Sequence, residues 1–172
     1  MAEVIQGSRN HFGPRSSESG VGTSIPDELV KTLVVPLVTA AGATTLTDTF
    51  DSTDATFPVI PAYSYIKSCA IYVEDAFTVT ATATGIDVGL TNTDGTANDP
   101  NGLIAVGGVG AVANLTAGKW DAGDGALIGA GSGAKDSYVS AAWAGGTDTL
   151  TGTAVVYVEY IPKLTAILAD AT

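Results

Sequence analysis

The sequence predicts an all-β fold, either a sandwich or a barrel. Ala, Thr, Gly and Val dominate its composition, and β-branched residues are enriched in strands. Roughly eight or nine short apolar stretches are separated by turn-forming residues at intervals of about 8–15 residues, which is typical of antiparallel sandwiches and barrels. Long amphipathic helices do not alternate with these stretches, which disfavours an α/β fold. Because aromatic residues make up only 7% of the chain, the core should be thin, and we expect oligomerisation to supply buried area.

Residues 1–24 differ from the rest of the chain, since they are polar, rich in Gly and Ser, and without apolar periodicity. Such a segment does not bury enough apolar area to offset the entropy of its own ordering, so we expect another chain to hold it. A short helical turn is predicted to begin near Ser24, which suits an N-cap, with Pro26 in its first turn. The predicted organisation is an extended N-terminal arm over residues 1–27, a β body over residues 28–163 and a C-terminal tail over residues 164–172.

The first predicted strands lie between residues 32 and 74. Pro36 interrupts the first of them, and because proline lacks a ladder donor we place that strand at a sheet edge. Ser64–Glu74 is the clearest central strand, since both of its alternating faces are apolar and both should be covered. The strands predicted here are Thr32–Val38, Thr44–Phe50, Thr56–Ile60 and Ser64–Glu74, the last with Lys67, Cys69, Ile71 and Val73 on one face and Ile66, Ala70 and Tyr72 on the other.

The second half of the chain continues the β pattern. Residues 91–102 (TNTDGTANDPNG) are dense in turn formers and are predicted to form an exposed loop. The last strong strand alternates Val156, Val158 and Tyr160 with Val155 and Tyr157. The strands predicted in this half are Val79–Leu90, with a break at Gly85, Ala126–Gly129, Asp136–Trp143 and Leu150–Ile161, with a Gly/Asp turn at residues 121–125.

The net charge of −11 lies entirely beyond residue 24. In residues 1–24, Arg9 and Arg15 balance Glu3 and Glu18, whereas the rest of the chain has 16 acidic residues against five lysines. Phosphate binding needs Lys and Arg to displace counterions, so nucleic acid and anionic membranes are not expected partners. No apolar run approaches the roughly 18 residues of a membrane span.

The residues needed for common catalytic chemistry are scarce. Cys69 is the single cysteine and His11 the single histidine, which disfavours a disulfide, a thiolate metal cage and a Ser-His-Asp triad. Carboxylate pairs suited to glycosidase chemistry could come from two places, but any acidic β-protein supplies such pairs. These pairs are Asp121 with Asp124 and Glu74 with Asp75. We therefore predict a protein that is not an enzyme and needs no cofactor or metal.

Two further groups of residues leave alternatives open. The loop after residue 91 offers oxygen ligands for calcium, but its spacing does not fit an EF-hand, and a hydrogen-bonded turn is favoured; a melt with a chelator would decide. Several aromatic residues could form a sugar-stacking face, but packing in the core or between subunits is favoured. The loop ligands are Asn92, Asp94, Asn98, Asp99 and Asn101, and the aromatic residues are Trp120, Trp143, Tyr63, Tyr65 and Tyr138.

The best anchors of the arm are Arg9, His11, Phe12 and Arg15. One aromatic ring flanked by cations suits docking on an acidic neighbour. We therefore expect these four residues to bind a partner chain.

Four segments of the chain resemble a family of tailed-bacteriophage virion structural proteins, the small β-sandwich head decoration, or cement, proteins. They are residues 60–77 (IPAYSYIKSCAIYVEDAF), 86–105 (IDVGLTNTDGTANDPNGLIA), 123–129 (GDGALIG) and 155–161 (VVYVEYI). The resemblance implies a jelly-roll-like antiparallel β-sandwich, commonly a homotrimer, that assembles in the host cytoplasm and sits on the outer surface of the phage head. There it binds the major capsid protein and stabilises the head, with the arm contacting capsid or a neighbouring subunit.

Our prediction is therefore a capsid decoration protein. The alternative is a carbohydrate-binding β-sandwich module of a phage fibre or a secreted protein, which predicts Trp120 or Trp143 facing solvent beside polar side chains. A third possibility, an enzyme, would need carboxylates with raised pKa values converging in a pocket.

Overall fold

The computed structural model describes residues 29–38, 59–79, 84–144 and 150–163. The chain divides into two units, Met1–Val30 and Lys31–Thr172, and the architecture given below is that of the second. The predicted arm over residues 1–27, the predicted strand at residues 44–50 and the predicted tail over residues 164–172 lie outside the described residues, so they stay predictions.

Within the described residues, seven antiparallel strands form two sheets. The four-stranded sheet has the order β1-β7-β2-β5 and the three-stranded sheet the order β4-β3-β6. The strands are β1 (Lys31–Val38), β2 (Tyr65–Val79), β3 (Gly85–Asn92), β4 (Ala97–Ile104), β5 (Trp120–Ala122), β6 (Ser137–Ala144) and β7 (Leu150–Ile161). Most connections between consecutive strands pass from one sheet to the other, as in a jelly roll. The predicted all-β sandwich is therefore confirmed.

One apolar core joins the two sheets, because each contributes its inward-facing side chains to a single cluster. The described residues include no α-helix, only 3-10 turns such as Val112–Asn114. None of the described helices is long and apolar enough to cross a membrane. The fully buried side chains of the core include Val35, Ile66, Ile71, Val73, Val156 and Val158 from one sheet and Ile86, Val88, Leu90, Leu103, Ile104 and Val139 from the other.

The predicted places of the strands in the sheet follow from their sequences. β1 pairs with β7 alone among the described strands, and Pro36 lies opposite Val155 on this edge strand. β2 is central, as predicted, with β7 on one side and β5 on the other. β7 alternates as predicted, since Val156 and Val158 are buried and Tyr157 is only partly buried.

The predicted faces of β2 are wrong at its start. Lys67 is exposed and Ile66 is fully buried, although Cys69 and Ile71 point inward as predicted. The pairing with β7 skips a residue between Ile66 and Ser68, and such a bulge moves every following side chain to the other face.

Two segments in the second half also differ from prediction. The predicted loop at residues 91–102 is mostly a hairpin, in which β3 extends to Asn92, a turn follows, and β4 begins at Ala97. Residues 126–129, predicted as a strand, form a turn, while Trp120–Ala122 forms β5 beside β2. β4 and β5 were missed because the segments that contain them are rich in turn-forming residues. Their pairing with β3 and β2 stabilises them as strands despite this composition.

Candidate interaction surface

The outward side of the four-stranded sheet carries two adjacent rows of uncharged, mostly apolar side chains. One row crosses the four strands as Val34, Tyr157, Ala70 and Ala122, and the next as Pro36, Val155, Tyr72 and Trp120. We call these eight residues the outer apolar face. Val34 is 50% and Trp120 58% exposed. Contiguous exposed apolar surface on a soluble protein marks an interaction site.

Trp120 is the centre of this face. Its ring lies 4.9 Å from the ring centroid of Tyr72, the residue paired with it on β2, and 5.2 Å from that of Tyr157, with interplanar angles of 30° and 29°. Ala70 lies between Tyr157 and β5, and its small side chain leaves room for the indole to reach across β2. The two tyrosines hold Trp120 in one orientation while much of its surface stays open, so the face presents a preorganised aromatic anchor.

Charged side chains stand at both ends of the outer apolar face. At one end, Asp75 accepts a hydrogen bond from Thr153 through Oδ2 (3.0 Å). At the other end, Glu159 accepts one from Ser68 through Oε2 (2.7 Å), and Lys67 Nζ lies 3.3 Å from the same oxygen. Hydrogen bonds from Ser68 and Lys67 hold the pKa of Glu159 below its ordinary value. Glu159 therefore carries its negative charge at neutral pH, and Asp75 places a second carboxylate at the other end of the face.

The glycine-rich loop at residues 105–110 does not form a phosphate site. Asp124 accepts hydrogen bonds from the backbone N–H of Ala105 (2.9 Å) and of Val109 (3.0 Å), and Asp87 accepts one from Val106 (2.8 Å). In a phosphate-binding loop, these backbone N–H groups would instead donate hydrogen bonds to the bound anion. The chain's own carboxylates already occupy them, so this loop is a structural element.

Two of the residues considered as possible calcium ligands, Asp94 and Asn98, are engaged within the protein. Asp94 accepts hydrogen bonds from the N–H and hydroxyl of Thr96 and from Lys135 Nζ, and these hold its pKa well below its usual range. Asn98 donates to the carbonyl of Ser132 (2.6 Å). Within the described ranges, no group of three or more His, Cys, Asp or Glu side chains is placed to hold a metal ion. The loop is built as a hydrogen-bonded turn.

The predicted catalytic pairs do not converge in the structure. Glu74 and Asp75 are both exposed on β2. Asp121 forms an ion pair with Lys119 (2.8 Å), while Asp124 holds the glycine-rich loop. These four carboxylates have structural or solvent-exposed surroundings.

Cys69 lies in the core with 4% of its surface exposed. Burial, and secondarily the charge of Asp124, raise the pKa of this thiol to about 12. Because the thiolate is the reactive form, the folded protein should resist alkylation at pH 8 and react only on unfolding. Iodoacetamide labelling followed by mass spectrometry, with and without urea, measures this; rapid labelling of the folded chain would contradict it.

The same pKa has a consequence for stability. Between the ordinary pKa of 9.0 and the folded value of about 12, the unfolded chain loses a proton that the folded chain keeps. Stability should therefore fall as pH rises through this window.

Only some of the residues considered as site residues lie in the described part of the structure. Arg9, His11, Phe12 and Arg15 lie outside the described residues, as does the side chain of Trp143. The other predicted aromatic residues do not form one face with Trp120: Tyr63, 60% exposed, lies under Lys163 Nζ (4.8 Å), Tyr65 is exposed and Tyr138 is partly buried. The alternative that Trp120 packs in the core is wrong, because its side chain points away from the core and is 58% exposed. Packing between subunits stays a prediction.

Sequence reasoning missed Tyr72 and Tyr157 as part of a site. The available signal is the apolar character of the outward residues of β2 and β7, but for β2 the two apolar faces led to the prediction that both sides are covered. In the described part of the sandwich, the second face is open.

These features define a β-sandwich whose four-stranded sheet carries an open aromatic face in the described part of the chain. A search of solved structures finds a chain in the capsid of Ralstonia phage GP4, with 19% sequence identity and a TM-score of 0.50. The match covers 83% of this chain and 89% of that one, so the two are of nearly equal length. At this identity the likeness shows a shared fold. No protein-family model matches the sequence, and no curated protein matches it.

Proposed function

We propose that this chain is a structural, non-enzymatic subunit of a tailed-phage virion, and specifically a decoration protein on the outer surface of the head. The observation that carries the proposal is the shared fold over most of both chains with a protein of a phage capsid. The near-equal length supports a small accessory subunit of the same build. The major capsid protein is the proposed partner, and a homotrimer the proposed state.

The described sandwich suits such a role physically. Its one described core and seven antiparallel strands make a rigid body, and its site is an open sheet face rather than a pocket. Aromatic-rich surfaces are typical of protein interfaces, whereas small ligands bind in concave pockets. The acidic exterior would also keep decorated particles apart in solution.

Removing residues 1–24 tests the proposed role of the arm, with its anchors Arg9, His11, Phe12 and Arg15. The truncated protein should keep the β-sandwich, because the described core is built from side chains between Leu33 and Val158. It should bind heads about a hundredfold more weakly, since several linked contacts give durable attachment and the arm supplies some of them. Co-sedimentation with heads that lack the protein measures occupancy.

Circular dichroism and the melting temperature of the truncated protein are the controls. Occupancy equal to that of the full chain would refute the role of the arm. Failure of the full chain itself to bind heads would refute the decoration function.

A second candidate, carbohydrate binding, is favoured by one observation, the solvent-facing Trp120. Its aromatic neighbours Tyr72 and Tyr157 could stack on sugar rings. The side chains around them, such as Ala70 and Val155, are apolar rather than hydrogen-bonding. A glycan array with the native chain and Trp120→Ala separates the candidates: a signal lost in the variant would favour sugar binding.

A further inference from the structure

The outer apolar face has a defined length between its charged ends. Asp75 lies opposite Thr153, and Glu159 is six residues further along β7, beyond the two uncharged rows. At about 3.3–3.4 Å per residue, the two acidic ends are roughly 20 Å apart. A matching occupant would place an apolar or aromatic group at its centre and a cation at each end.

The chain itself contains a segment with this pattern. In Arg9-Asn-His-Phe12-Gly-Pro-Arg15, the two arginines are six residues apart and Phe12 stands midway between them. In the polyproline II conformation a segment of this length spans about 19 Å, and its period of three residues per turn places Arg9, Phe12 and Arg15 on one face. Arg9 and Arg15 are the only arginines of the chain, and arginine both pairs with carboxylates and stacks on tryptophan and tyrosine rings.

We infer that the outer apolar face binds the Arg9–Arg15 segment of a second copy of this chain. Phe12 packs beside Trp120, and the two arginines meet Asp75 and Glu159. Because a carboxylate stands at each end of the face, either direction of the segment places an arginine beside each carboxylate; at Glu159 the arginine joins Lys67, which already pairs with Oε2. This inference rests on the proposed role as an assembly subunit and selects a neighbouring copy as the arm's partner.

Reach and charge both support a second copy. The 28 residues before Leu29 can extend about 90 Å, which is enough to reach a neighbour. Two β bodies that carry the same negative charge repel each other. The arm can link them, because its two arginines lie in one short stretch and can pair with the carboxylates of a neighbouring body. Exchange of such a segment between identical subunits is a low-cost route to an oligomer.

The first experiment locates the contact in the full chain. A photo-reactive benzoyl-phenylalanine replaces Phe12 in unlabelled protein, which is mixed with ¹⁵N-labelled protein and irradiated. Crosslinks between the two isotopic forms, to peptides of β2, β5 or β7, are expected. Crosslinks confined to one copy, or to the three-stranded sheet, would overturn the inference.

The second experiment measures self-association by sedimentation equilibrium. Trp120→Ser and the double variant Arg9→Glu/Arg15→Glu should each weaken it at least tenfold, as loss of a central anchor does. Mixing that double variant with Asp75→Arg/Glu159→Arg should restore much of the association. Tyr63→Ser removes an equally exposed aromatic ring outside the face and should leave association unchanged. Unchanged association in the first two variants would refute the inference.

Head binding by the same variants separates this inference from the proposed function. If the native chain decorates heads while Phe12 crosslinks to capsid protein rather than to a second copy, the inference fails and the function stands. If copies associate through the face but no variant or native chain binds heads, the inference stands and the decoration function fails.

Discussion

Gly89→Ala is expected to destabilise the protein by about 3 kcal/mol, the upper part of the range for overpacking a core. Gly89 lies in β3, where the pairing with β4 shifts register near Leu90 and Asp99. A Cβ atom at residue 89 would overlap the carbonyl oxygen of Asp99 and the carbonyl carbon of Pro100. Both are backbone atoms of a paired strand, so relief requires the two strands to separate. Urea unfolding followed by circular dichroism measures the loss.

Gly107→Ala is the matched control. No heavy atom lies within 4 Å of a Cβ built at Gly107, so this change should alter stability by less than about 0.5 kcal/mol. Equal effects of the two substitutions would mean that close approach of β3 and β4 is not what requires glycine at residue 89.

Ile71→Ala is expected to cost about 2–5 kcal/mol, the range for truncating a large buried aliphatic side chain. Ile71 is 1% exposed at the centre of β2, opposite Val156 on β7. The described core is built mainly from Val, Ile and Leu. Because the β-branched Val and Ile side chains are stiff at χ1, they adjust poorly to a cavity, and the loss should lie in the upper half of that range.

Val34→Ala on the same sheet is its control. Val34 is half exposed on the outer apolar face, so at protein concentrations too low for association its loss should cost less than about 1 kcal/mol. A small effect of Ile71→Ala in the same urea titration would place the centre of the core elsewhere.

The parts of the fold that were predictable depend on local chemistry. The edge position of β1 follows from Pro36, because proline has no N–H to donate to a second neighbouring strand. The alternation of buried and outward side chains in β7 follows from the two-residue period of a strand. The start of β2 was not predictable, because a bulge depends on the partner strand and no residue near Ile66 announces it. β4 was not predicted for a similar reason. Its Asn and Asp residues and Pro100 have low β-strand propensity, and it is the pairing with β3 that makes this segment a strand.

The candidate site shows the same division. A partner-binding arm was predicted from the composition of the residues before Leu29, and it stays a prediction. The outer apolar face was missed because apolar outward positions such as Tyr72 and Tyr157 look the same in sequence whether another layer covers them or not. Only the strand order showed that Trp120, which directly precedes the predicted turn at residues 121–125, lies beside them.

The pairing of the first strand with the last has a practical consequence for protein engineering. Lys31 lies opposite Tyr160, so the chain enters β1 and leaves β7 at one end of the sandwich. Ala144 and Leu150, which pair with Gly85 and Val79, stand at the opposite end. A peptide displayed on this scaffold should therefore be inserted between Ala144 and Leu150 rather than fused after Lys163, so that the cargo projects away from the end where the chain enters and leaves.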